Sequence, residues 1–169
     1  MKDNIVLIGI MGCGKSSLGK QLAKRLSLTF VDMDATIEKE AGMTITQMFS
    51  DFGESYFRDK ETELCHRLAG QSNLVISTGG GIVGREENMT VLSESGRIVF
   101  IDRDPQIIIK TINAEKRPLI RDNPQRLLEI HAQRLPLYRK YADITVTNNG
   151  TFREAIQRLM SAVTRYNKR

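Results

Sequence analysis

Lys15 and Ser16 are the residues whose type and spacing point most directly to chemistry. They close the run Gly9-Ile10-Met11-Gly12-Cys13-Gly14-Lys15-Ser16, which follows an apolar stretch, Ile5 to Ile8, and opens a helical pattern from Ser17 to Leu26. Gly-x-x-x-x-Gly-Lys-Ser between a strand and a helix is a phosphate cradle. The glycines let the chain turn so that successive N–H groups point inward, and the positive end of the following helix adds its attraction for a diphosphate. On this reading Lys15 reaches the β- and γ-phosphates, and Ser16 offers its hydroxyl to Mg²⁺.

Moving a phosphoryl group also requires an aligned acceptor and a group that takes the acceptor's proton. Asp32-Met33-Asp34 can supply both metal and base functions. Carboxylates two positions apart on an extended chain point in different directions, so one can face the Mg²⁺ shell and the other an incoming hydroxyl. The competing structural roles are a helix N-cap for Asp34 and a solvated strand end for Asp32. Ser77-Thr78-Gly79-Gly80-Gly81 follows a third apolar run and lacks the strand-terminal Asp of motor-type P-loop proteins. Its glycines allow close backbone approach to a ligand, or simply a flexible turn. Three arginines have suggestive neighbourhoods. Arg58 starts an amphipathic helix with Phe57, Leu64 and Leu68 inward. Arg117 sits in Glu115-Lys116-Arg117-Pro118-Leu119, where two cations precede a helix-stopping proline, as suits a lid over phosphates. Arg134 precedes Leu135-Pro136-Leu137-Tyr138 at what reads as a helix end, where it can equally complement the helix dipole.

The elements that must hold these residues follow from hydrophobic pattern. Five short apolar runs, Ile5 to Ile8, Phe30 to Val31, Leu74 to Ile76, Ile98 to Ile101 and Ile144 to Val146, alternate with helical patterns. That alternation predicts an α/β fold with a parallel sheet covered on both faces. Capping boxes at Thr44-x-x-Gln47 and Thr151-x-x-Glu154, and cap-proline pairs at Asp104-Pro105 and Asn123-Pro124, mark helix starts. The phosphate loop, the aspartates and the triple glycine each follow a strand, which gathers them at the carboxyl edge of the sheet, where ligands bind. With 169 residues, 40% of them apolar, the chain is sized for one domain. No apolar run approaches membrane-spanning length, so a soluble cytoplasmic protein is expected. Cys13 and Cys65 are too isolated for a disulfide framework or a zinc site. The net charge of +5 is spread without a basic stripe or lysine-rich tail, which favours small polyanions over nucleic acid.

Taken together and in order, the loop Gly9 to Ser16, Asp32-x-Asp34, Gly53-Glu54 with Phe57-Arg58, Ser77 to Gly81, Arg117-Pro118-Leu119 and Arg134-x-Pro136-Leu137-Tyr138 resemble the shikimate kinase family over nearly the whole chain. The resemblance implies a three-layer P-loop kinase fold with a five-stranded parallel sheet in the order 2-3-1-4-5. It implies a single domain, 1–169, with a substrate-binding segment at about 33–61 and a lid at about 112–124. The implied reaction carries the ATP γ-phosphate to the 3-hydroxyl of shikimate, in the chorismate route to aromatic amino acids, with Mg²⁺ and without nucleic acid or membrane. Gly12, Cys13, Gly14, Lys15, Ser16 and Ser17 would hold the phosphates, with Ser16 on the metal and Asp32 in its water shell. Asp34 would bind the acceptor hydroxyl as base. Arg58 and Arg134 would clamp the carboxylate, and Gly79, Gly80 and Gly81 would meet the ring. Arg117 would close with the lid, while Lys110 stands where an arginine often stacks on adenine and stacks less well itself. The segment Thr147 to Thr151 would form the other adenine wall. Nothing advertises a large apolar interface, so a monomer is expected. Another small-molecule kinase of the same fold, or a nucleic-acid-stimulated ATPase, are the alternatives; the two-arginine clamp argues against the first and the absence of a basic groove against the second.

Overall fold

Strand β1, Asn4–Ile8, is buried at all five positions because it lies in the middle of the sheet. Strand β3 (Leu74–Ser77) pairs with it on one side and β4 (Gly96–Asp102) on the other. A strand covered on both faces reads as a continuous apolar run rather than an alternation. Strands β2 (Thr29–Asp32) and β5 (Ile144–Thr147) complete the order β2-β3-β1-β4-β5, parallel throughout, as expected. The computed structural model describes residues 3–113 and 119–166.

Helix α1 (Lys15–Leu26) packs against β2, β3 and the last helix, α8 (Phe152–Tyr166), which also covers β5. The stripe Ile156, Leu159 and Val163 is buried there, with Met160 at its margin. Helices α4 (Glu54–Ala69), α5 (Glu86–Ser95) and α7 (Arg126–Tyr141) form the other main group, with α5 and α7 against β4. Phe57, Leu64 and Leu68 of α4 point inward, as their spacing predicts. Cys65 is a buried thiol whose acidity is suppressed by burial, its pKa pushed up to about 12. The neighbouring His66 is exposed and bonds Glu87 at 2.7 Å. Among the described residues, no helix is long and apolar enough to cross a membrane.

Three local expectations need correction. Helix α2 (Met33–Ala41) starts directly after β2, and its N-cap is Asp32 rather than Asp34: Asp32 Oδ1 accepts from Ala35 N at 3.2 Å. The two carboxylates therefore diverge through the helical turn, Asp34 lying in the first turn, and not through an extended chain. Helix α7 does not end near Arg134 but continues through Pro136 to Tyr141. An internal proline costs about 3 kcal/mol. Pro136 and Ala132, whose carbonyl loses its bond, both face solvent. Burial of Tyr138 beyond the proline, its ring stacked 5.2 Å from Phe100, is worth about 1.5–3 kcal/mol and offsets most of that cost. Asn123-Pro124 forms a capped turn ahead of α7, with Asn123 Oδ1 accepting from Gln125 N, rather than the first turn of the helix itself. The capping boxes at Thr44, on α3 (Ile45–Phe52), and at Thr151 form as read. So does the Asp104 cap with Pro105 opening α6 (Pro105–Ile109).

Candidate functional site

Two cavities open side by side at the carboxyl edge of the sheet. The first, about 460 Å³, is lined by Gly12, Gly14, Lys15, Ser16, Ser17, Asp32, Thr78 and Arg103. The second, about 500 Å³, is lined by Thr44, Ile45, Thr46, Phe49, Phe57, Arg58, Gly79, Gly81, Leu119 and Arg134. Met11, Asp34, Glu38 and Gly80 line both. Asp34 thus stands at the junction, where a donor in one cavity and an acceptor in the other would meet.

The first cavity is built on left-handed glycines. Gly9, Gly12 and Gly14 have φ of 146°, 77° and 102°, values that side chains resist. A Cβ on Gly9 would lie 2.6 Å from Ile101 O, and one on Gly14 2.8 Å from Asn148 Nδ2, so the loop is also packed too closely for anything larger. Lys15 is only 7% exposed. Its ammonium donates to Gly9 O at 2.7 Å and Ile10 O at 3.1 Å. Cys13 sits beneath the loop, wholly buried, with Sγ 3.7 Å from Lys15 Nζ and its N–H bonded to Ile10 O; it does not line the cavity. Ser16 Oγ donates to Asp32 Oδ2 at 2.5 Å. A hydroxyl and a carboxylate so close are hard oxygen donors of the kind magnesium takes, so the pair fits that ion.

The second cavity holds its charges under cover. Arg58, with a side chain 13% exposed, donates from Nη1 to Glu61 Oε2 at 2.8 Å and from Nε and Nη2 to Glu54 Oε1 at 3.2 and 3.0 Å. These are i+3 and i−4 neighbours on one helix face, so α4 itself aims the guanidinium. Three of its five N–H groups are used, leaving one on each terminal nitrogen. Burial works against the Arg58 charge, but Glu61 and Glu54 outweigh it and hold its pKa above the ordinary value. Burial pushes the Glu61 carboxyl up and Asp34 adds to this, against the pull of Arg58 and Arg134. Gly81 leaves room for the Arg58 guanidinium: a Cβ there would lie 2.5 Å from Cζ. A Cβ on Gly79 would lie 2.7 Å from Glu61 Oε1 and 2.9 Å from Asp34 Oδ1. Among the described residues, Arg134 Nη1 is buried with no hydrogen-bond partner, as is Glu61 Oε1. Buried donors and acceptors are nearly always satisfied, so the unmet nitrogen of Arg134, a residue of the cavity wall, marks where a ligand atom belongs. Tyr138 donates to Gly80 O at 2.5 Å, fixing the glycine turn from below.

The fold thus brings together Gly12, Gly14, Lys15, Ser16, Ser17, Asp32 and Asp34 around one cavity, and Asp34, Arg58, Gly79, Gly80, Gly81 and Arg134 around the other. Lys110 is exposed at the end of α6 and lines neither. Arg117 lies outside the described residues, as do positions 114–118 of the expected lid at about 112–124. The segment after β5 packs beside the phosphate loop, Asn148 Nδ2 donating to Cys13 O at 2.8 Å. Sequence reasoning missed Glu38, Glu61, Tyr138 and Arg103. Glu61 had a signal in its i+3 spacing from Arg58. Arg103 had one too, since it follows the fourth strand just as the other site residues follow the first three.

A family model described as shikimate kinase matches residues 11–164. A shikimate kinase of Clostridium botulinum (strain Alaska E43) is 39% identical over 163 residues, covering 96% of this chain and 98% of that protein. One of Thermodesulfovibrio yellowstonii is 44% identical over 156 residues, covering 90% of each. The solved structure of shikimate kinase from Acinetobacter baumannii in complex with shikimate superposes with a TM-score of 0.91 at 35% identity, covering 98% of this chain and 94% of that one.

Proposed function

The chain belongs to the shikimate kinase family, and from that premise we propose how its residues carry out the family reaction, transfer of the ATP γ-phosphate to the 3-hydroxyl of shikimate. The observation that carries the proposal is the junction: the cavity of the glycine-rich loop and the cavity walled by Arg58 and Arg134 share a wall that includes Asp34. The acceptor's carboxylate takes the free N–H groups of Arg58 and the orphaned Nη1 of Arg134. A planar guanidinium suits that bidentate capture. Glu61 and Glu54 keep Arg58 from swinging away, and the turn at Gly79 to Gly81 lets the ring lie close to the backbone.

Held at its carboxylate, the acceptor presents its hydroxyl to Asp34, which takes the proton as the oxygen–phosphorus bond forms and the bond to the β-phosphate oxygen breaks. ADP leaves with that electron pair. Such transfers gain most from positioning and charge neutralisation. Lys15 must give up its bonds to Gly9 O and Ile10 O to reach phosphate oxygens, so binding the nucleotide reorients its ammonium within the loop. Ser16 and Asp32 are the residues that would hold Mg²⁺, whose charge offsets that of the phosphates when bound. Arg117, outside the described residues, is the further cation that the family resemblance implies for the phosphates.

A coupled ADP-release assay tests the reading. Shikimate should stimulate release strongly, while gluconate, nucleoside monophosphates and single-stranded DNA should not. Stimulation by gluconate alone would sink it.

A further inference from the structure

Resting on the nucleotide-binding half of this reading, we propose that Arg103 is a second fixed cation for the terminal phosphates of the nucleotide. Arg103 immediately follows β4, at the same sheet edge as the phosphate loop, and lines the phosphate cavity with Lys15, Ser16 and Asp34. Among the described residues, Lys15 and Arg103 are the only Lys or Arg side chains on that wall, facing the carboxylates Asp32, Asp34 and Glu38. Lys15 is engaged by two loop carbonyls. Among the described residues Arg103 Nε is buried and has no hydrogen-bond partner, the same condition that marks Arg134 in the neighbouring cavity. A buried guanidinium N–H left unmet is expensive, and an anionic oxygen in the cavity is the group that would meet it.

The backbone on either side of Arg103 is pinned. Asp102 O accepts from Asn148 N at 2.8 Å, and Asp104 N donates to Asn149 Oδ1 at 2.8 Å. The side chain therefore projects from a fixed base, which lets it bind phosphate without first ordering a loop. Because it shares its cavity with Lys15, Ser16 and Asp34, at the reacting end, it should act on the β- and γ-phosphates rather than on the nucleoside.

The test is calorimetric titration of AMP, ADP and the non-hydrolysable ATP analogue AMP-PNP, with Mg²⁺ and no acceptor, into wild type, Arg103→Ala and Arg103→Lys. The alanine variant should bind ADP and AMP-PNP about tenfold or more weakly and AMP within about twofold, the lysine variant recovering part of the loss. Unchanged ADP and AMP-PNP affinity, or equal weakening of all three ligands, would overturn the proposal. So would a lysine variant no better than alanine. Shikimate-stimulated ADP release by wild type is read separately. Its failure beside Arg103-dependent AMP-PNP binding would remove the acceptor assignment and leave the Arg103 proposal standing.

Discussion

The two halves of the site solve the same problem, holding an anion, by opposite means. The phosphate half is made of backbone: three left-handed glycines, a helix start, and one lysine folded onto loop carbonyls. The proposed acceptor half is made of side chains from distant helices: Arg58 on α4, braced by Glu61, Arg134 on α7 and Asp34 on α2, set around a partly aromatic wall of Phe49 and Phe57. A backbone cradle recognises any phosphate tail, since every residue supplies an N–H. Side chains drawn from separate elements recognise one shape and charge pattern. On the proposed assignment, specificity lies in the acceptor half and reactivity where the halves meet.

The sharpest break in that comparison is at the junction. Asp34→Asn should lower kcat by about a hundredfold or more, with ADP binding nearly unchanged; turnover within a few-fold of wild type would remove Asp34 as the base. Next comes the clamp. Arg134→Ala should raise the KM for shikimate about ten- to a hundredfold while leaving that for ATP nearly unchanged, because the lost interactions are charge-assisted and confined to one half. An equal rise in both constants would show that the halves are not separable. Gly81→Ala should act more mildly in the same direction, raising the shikimate KM several-fold on the scale of one displaced hydrogen bond. The added methyl has to push the Arg58 guanidinium aside. A wild-type shikimate KM in steady-state kinetics would show that the side chain yields freely.

Smaller effects should appear in stability. Tyr138→Phe removes the bond to Gly80 O. It should cost about 1 kcal/mol. In thermal melts that is about 2–4 °C for a chain this size. For Glu61 the folded-state pKa is raised above the ordinary carboxylate range. Its protonated form is favoured on folding, so its contribution to stability is fully present below the ordinary value near 4.5 and is lost as pH rises through the raised one. The melting temperature of wild type minus that of Glu61→Gln should therefore fall as pH is raised through and above that range. A difference that rises with pH would mean that the Arg58 pairing outweighs burial.

Much of this molecule was readable before folding, because its signals are local. Strand β1 and the phosphate loop are contiguous in the chain. Thr44 with Gln47, Asp104 with Pro105, and Thr151 with Glu154 each span a single helical turn. At Pro136 a distant contact overrules a local preference, and at Asp32 the direct junction of strand and helix sets the cap. Pro136 should end a helix, yet Tyr138, anchored on Phe100 and Gly80, carries α7 past it. Asp32 became the cap of α2 because β2 runs straight into that helix without a loop.

By itself the sequence determined the order of strands and helices, the phosphate cradle, and the gathering of Asp32, Asp34 and the triple glycine at one sheet edge. Periodicity and turn chemistry act over a few residues, which is why they are legible. Only the tertiary structure decided that Glu61 braces Arg58, that the cavity-lining residues Arg134 and Arg103 each keep a buried nitrogen without a partner among the described residues, and that Asp34 borders both chambers. Those facts depend on how α2, α4, α7 and the end of β4 pack against one another, and burial at that range leaves no local pattern in the chain.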